Sequence, residues 1–95
     1  MTPEQTKELL AKRTETEQKL AGLLKKRKRP FTVADIKHAI NNEKGTNVIA
    51  LIIRMFDMGP ESASFEELMK LIMDAWNYFP HKSLNGLSPR EKYLG

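Results

Sequence analysis

The chain has no cysteine. That excludes disulfides, thiolate metal sites and a cysteine nucleophile together, and it suits a reducing cytosol. Histidine is nearly absent: His38 and His81 are the only two. Zinc sites take three or four ligands, so no metal is expected. The five glycines are scattered and form no phosphate-binding loop. No apolar run reaches the roughly 20 residues of a membrane span. The opening residues Met1 to Lys7 are polar with no apolar stretch behind them, so no signal peptide is expected. As a general base His81 lacks any visible partner acid or nucleophile, and no constellation meets the requirements of an active site, so no enzyme, cofactor or small-molecule substrate is expected. The expected location is cytoplasmic.

What is present is a 95-residue chain, 40% hydrophobic and 29% charged, a composition of one globular domain. Its net charge of +4 has a local origin. The first 24 residues balance, and residues 30–95 carry one more acid than base. The excess is the run Lys25, Lys26, Arg27, Lys28, Arg29. Five adjacent cations repel one another, so either something offsets that repulsion or the segment is solvated. The run has three readings: phosphate contact with DNA or RNA, an import or anionic-surface signal, and a solvated helix end complementing the dipole. No aromatic residue is interleaved with it, which argues against base stacking.

The longest apolar stretch is Asn47 to Met58, interrupted only by Arg54 and Asp57. No second convincing strand exists to pair with it, and the flanks suit a helix: Thr46 or Asn47 as N-cap, Gly59 as left-handed stop, Pro60 beyond. A helix apolar round most of its circumference requires cover on nearly all sides. The expectation is an all-α single small bundle of about five helices around this buried central helix.

The first helix starts in a capping box, Thr2 with Gln5, and Pro3 fits its first turn. Its apolar residues form two groups, Leu9-Leu10 and Leu20, Leu23, Leu24. Lys12 to Lys19 between them is wholly polar and reads as solvated. One long helix, projecting from the domain, is preferred over a break at a second box, Thr14 with Glu17. In the projecting arrangement Leu9 and Leu10 lie more than about 15 Å beyond the core, at about 1.5 Å per residue. Burying them against a second copy would give a homodimer. Residues 1–29 thus form an N-terminal helix ending in the basic run, and residues 31–95 form the helical core.

The second helix is expected from about Val33 to Asn41, capped by Thr32, with Phe31 packing on Ile36. A turn from Asn41 to Gly45 follows, with Gly45 left-handed. Asp35 and His38 share a face of this helix and read as an exposed polar pair in preference to a metal site. Ser64 with Glu67 opens a fourth helix, whose face is Phe65, Leu68, Met69, Ile72, Met73, Trp76 and Phe79. A stripe rich in Met and aromatics suits a partner groove, but the central helix needs such a face as core. Pro80 ends this helix. His81 either caps its last carbonyls or packs on Trp76. Leu84 and Leu87 are expected to plug the core, Gly86 to supply a turn, and Ser88, Pro89 and Glu91 to start a last short helix.

The segment Trp76 to Glu91 resembles a stretch near the C-terminal end of the catalytic domain of integrase-type insertion-sequence transposases, roughly Tyr-Asn-x-x-Arg-Pro-His-x-Ser-Leu-x-Gly-x-Thr-Pro-x-Glu. Asn77, Pro80, His81, Ser83, Leu84, Gly86, Pro89 and Glu91 match, Ser88 stands for Thr, and Phe79 replaces the basic residue. A similar segment occurs in bacterial helical proteins with a cysteine-rich zinc tail. The resemblance covers about sixteen residues, and neither chemistry carries over: the transposase carboxylates need a mixed sheet, and the zinc tail needs cysteines. What it implies is a helix–loop–helix joint. The function expected is a non-enzymatic interaction module, binding another protein or itself. The alternative is an accessory nucleic-acid-binding protein using Lys25 to Arg29, in the setting of mobile elements.

Overall fold

The computed structural model describes residues 2–42 and 47–94. Five helices follow one another: α1 Pro3–Lys26, α2 Val33–Asn41, α3 Val48–Phe56, α4 Phe65–Tyr78 and α5 Pro89–Leu94. A single 3-10 turn, Lys82–Leu84, lies between α4 and α5. Among the described residues the only β-type pairing is one bridge, His81 to Leu87. The fold is therefore an all-α bundle. Its core joins Leu20 and Leu24 of α1, Ile36 and Ile40 of α2, Ile52 and Phe56 of α3, and Leu68, Ile72 and Phe79 from α4 and its end.

α1 is one continuous helix. The Thr2 hydroxyl accepts from the Gln5 amide at 3.1 Å, and the Gln5 side chain accepts from the Thr2 amide at 2.9 Å. Thr14 and Glu17 are plain helical residues and cause no break. At about 1.5 Å per residue its 24 residues run about 36 Å, close to the 40 Å long axis of the molecule. The helix lies along the bundle, chiefly against α4, and does not project. Its buried stripe is Leu9, Thr16, Leu20 and Leu24, with Arg13 half-buried in the same row. Thr16 is 1% exposed, and its hydroxyl donates to the Lys12 carbonyl at 2.8 Å, which removes the cost of burying it. The polar middle is thus docked rather than solvated. Leu9 is 5% exposed within the single chain and only Leu10, at 52%, faces out. The two-leucine patch that motivated dimerisation through this helix is reduced to one residue.

α3 is shorter than Asn47 to Met58, and its left-handed terminating residue is Asp57 (φ 52°), not Gly59. Asn47 makes no side-chain cap, and Thr46 and Gly45 lie outside the described residues. One side of α3 is buried, through Val48, Ile52, Met55 and Phe56. Cover on nearly all sides is not reached: Leu51 is 47% exposed, and Ala50 and Arg54 are exposed beside it.

α4 is buried along Leu68, Leu71, Ile72 and Ala75, with Phe79 just beyond its end. Because α1 packs on it as well as α3, the buried face turns toward Leu71 and Ala75, and Met73 is left 45% exposed. The Ser64–Glu67 box does not form. Ser64 has ψ 6°, not the extended value a cap requires, and its amide takes the Ser62 hydroxyl at 3.3 Å.

Candidate functional site

The basic run folds into the end of α1. The Arg29 amide donates to the Leu24 carbonyl and the Lys28 amide to the Lys25 carbonyl, both at 3.0 Å, with Lys28 left-handed at φ 55°. This double hydrogen bond around a left-handed residue is the Schellman termination, here without the usual glycine. It reverses the chain and sends the two arginines to the C-terminus of α3. Arg27 Nε donates to the Phe56 carbonyl at 2.7 Å, and its terminal nitrogen to the Asp57 carbonyl at 2.5 Å. Arg29 Nε donates to the Met55 carbonyl at 2.8 Å, a terminal nitrogen lies 3.9 Å from the Asp57 carboxylate, and the guanidinium carbon sits over the Phe31 ring at 5.6 Å. The last carbonyls of a helix have no partners within it and carry its negative dipole end. Two of the five cations satisfy those groups on α3. Lys25, Lys26 and Lys28 are exposed, and their side chains have no hydrogen bond or ion pair among the described residues.

The joint after α4 is a compact loop. Phe79 is extended before Pro80 (ψ 150°), ending the helix. His81 is 1% exposed; its ring meets Trp76 edge-on at 4.7 Å, and Nε2 lies 2.7 Å from the Trp76 carbonyl. A carbonyl only accepts, so Nε2 carries the proton. The His81 amide donates to the Leu87 carbonyl, and Asn85 and Gly86 are both left-handed. Leu84 is half-buried, while Leu87 is 41% exposed and does not plug the core, because its part is the backbone bridge. Pro89 is the first residue of α5, and Ser88 and Glu91 close a capping box, with bonds of 3.0 and 3.2 Å.

Arg13 ties this joint to α1. Its Nε donates to the Tyr78 carbonyl at 2.7 Å and its terminal nitrogen to Glu91 at 3.0 Å. Burial pushes the Glu91 carboxyl up, but the Ser88 amide and hydroxyl and the Arg13 guanidinium outweigh it and hold the group below the ordinary glutamate range. Sequence reasoning missed Arg13. The available signal was the spacing Leu9, Arg13, Thr16, Leu20, Leu24, one unbroken row of α1.

Asp35 and His38 do not pair. Asp35 accepts from the Thr32 amide at 2.8 Å and from its hydroxyl at 3.2 Å, capping α2. His38 Nδ1 takes the Asn42 side-chain amide at 3.2 Å. Among the described residues no three His, Asp or Glu side chains converge as a metal site would require, and no helix is long and apolar enough to cross a membrane.

The packing leaves an open surface beside α3. A groove of about 560 Å³ runs between α2 and α3, walled by Ala39, Asn42, Val48, Ala50 and Leu51, with His38 and Arg54 at its sides. It is the exposed side of the most apolar helix in the chain. No protein-family model, curated protein or solved structure matches this chain.

Proposed function

We propose that the protein is a non-enzymatic protein-binding module whose contact face is the α2–α3 groove. The observation that carries this reading is Leu51, half-exposed in the middle of a helix whose opposite side is core, at the wall of an open groove. Helix-in-groove recognition uses such a face: apolar anchors fill it and polar residues at the rim set orientation. The reading is tested by selecting peptides from a random library against the full chain and mapping each binder by backbone amide shifts. Selected peptides should move the amides of Ala39, Val48, Leu51 and Arg54, and Leu51→Ser should weaken them. Shifts confined to other faces reject the groove as the contact surface.

A second reading, nucleic-acid contact through the basic run, is supported by Lys25, Lys26 and Lys28, whose ammonium groups point at no protein partner. Arg27 and Arg29 are engaged at α3 and contribute less. Such binding would be sequence-blind and salt-sensitive. A duplex titration at two salt concentrations tests it, with Lys25→Gln, Lys26→Gln, Lys28→Gln as the control that keeps the fold.

A further inference from the structure

The α2–α3 groove is apolar at its base and one-sided in charge. Among the described residues its lining contains one charge, Arg54, and no carboxylate, with His38 a polar neighbour whose Nδ1 accepts from the Asn42 side-chain amide. Arg54 forms no ion pair among the described residues. Asp35, one turn before His38, is held by the Thr32 amide and hydroxyl. A shallower depression shares His38 and adds Arg13 and Lys37, but Glu91 and Glu17 already pair with those two. Among the described residues the unmatched charge along the groove is therefore the cation Arg54. Leu51 and Arg54 are three apart on α3 and fall on the same side of the helix, so one bound surface meets both. The nine residues of α3 run about 13 Å, room for two to three turns of a partner helix.

We infer that the groove binds an acidic amphipathic helix of a protein partner, its apolar side against Ala39, Val48 and Leu51 and a carboxylate at Arg54. This rests on the protein-binding reading of the same groove and adds the chemical class of the occupant. Apolar contact supplies affinity, while the charges select against basic helices, because a like charge set against Arg54 costs more than an unlike one returns.

The test uses two defined probes: a fluorescein-labelled helical peptide with leucines at i, i+3, i+4 and i+7 and glutamates elsewhere on its surface, and a twin with lysine for every glutamate. Both are titrated with the full chain and followed by fluorescence polarisation. The acidic probe should bind at least about tenfold more tightly than its twin, and added salt should narrow that gap. Arg54→Ser should remove most of the gap, and Leu51→Ser should weaken the acidic probe; both positions are exposed, and circular dichroism checks that each variant is folded. Equal binding of the two probes overturns the acidic preference while leaving the groove a docking face. Binding of neither probe overturns both readings. Acidic binding that neither substitution changes lies elsewhere, on the basic run for example, and also overturns the inference.

Discussion

Arg27 donates to the main-chain carbonyl of Phe56, 29 positions further along the chain, at 2.7 Å. A run of cations that looks like a ligand-binding patch is in part the C-terminal cap of another helix. Hydrogen bonds from a charged donor contribute about 1.5–3 kcal/mol when buried, and Arg27 is largely exposed, so the lower end applies. Arg27→Ala should lower stability by about 1–2 kcal/mol in urea titration, whereas Lys26→Ala should stay within about 0.5 kcal/mol. Equal effects at the two positions would show that the cap is not formed in solution.

Lys28 holds the left-handed position of the Schellman turn. A non-glycine residue there carries a steric cost that glycine does not. Lys28→Gly should therefore stabilise the protein by about 0.5–1 kcal/mol, read from the same titration, despite the greater freedom glycine gives the unfolded chain. A destabilised variant would contradict this backbone geometry.

Glu91 titrates below its ordinary range in the folded state. A depressed carboxylate favours the folded state above its unfolded pKa of about 4.3, and that contribution is lost as pH falls through the folded value. Wild type minus Glu91→Gln stability should thus be constant near neutrality and shrink steadily below about pH 4.3. Chemical denaturation at a series of pH values checks it; a difference that grows on acidification refutes the assignment.

Leu51 and Ile52 are neighbours in sequence and opposite in environment: one is 47% exposed, the other fully buried. Ile52→Asp places an unpaired charge in the core and should unfold the domain, a loss above about 4 kcal/mol. Leu51→Asp should keep the helical circular dichroism and cooperative melting of wild type. Similar loss at both positions would mean that α3 is wrapped on all sides after all.

Helix positions and several caps were legible because their signals act within three or four residues: Thr2 with Gln5, Ser88 with Glu91, Pro80 after Phe79. Ser64 with Glu67 has the same spelling and does not cap, since the preceding turn puts Ser64 in a near-helical conformation. What the pattern obscured was tertiary. Arg13 and Thr16 interrupt the apolar row of α1 on paper, yet the Tyr78 carbonyl, Glu91 and the Lys12 carbonyl satisfy them in place. A polar residue with a distant partner reads as a gap, so α1 looked solvated where it is docked. Likewise the inward role of Arg27 and Arg29 depends on α3 ending beside them, which no local pattern announces.

The grip of Arg13 on the joint also sets a schedule. Its two partners, Tyr78 and Glu91, come 65 and 78 positions later. At about 5–20 residues per second of synthesis, roughly 4–16 s pass between the appearance of Arg13 and that of Glu91. Through that interval Leu9, Leu20 and Leu24 belong to a helix with most of its docking site not yet made. The newborn chain therefore carries an apolar stripe in waiting, and the lock closes only when Glu91, 78 positions after Arg13, has been made.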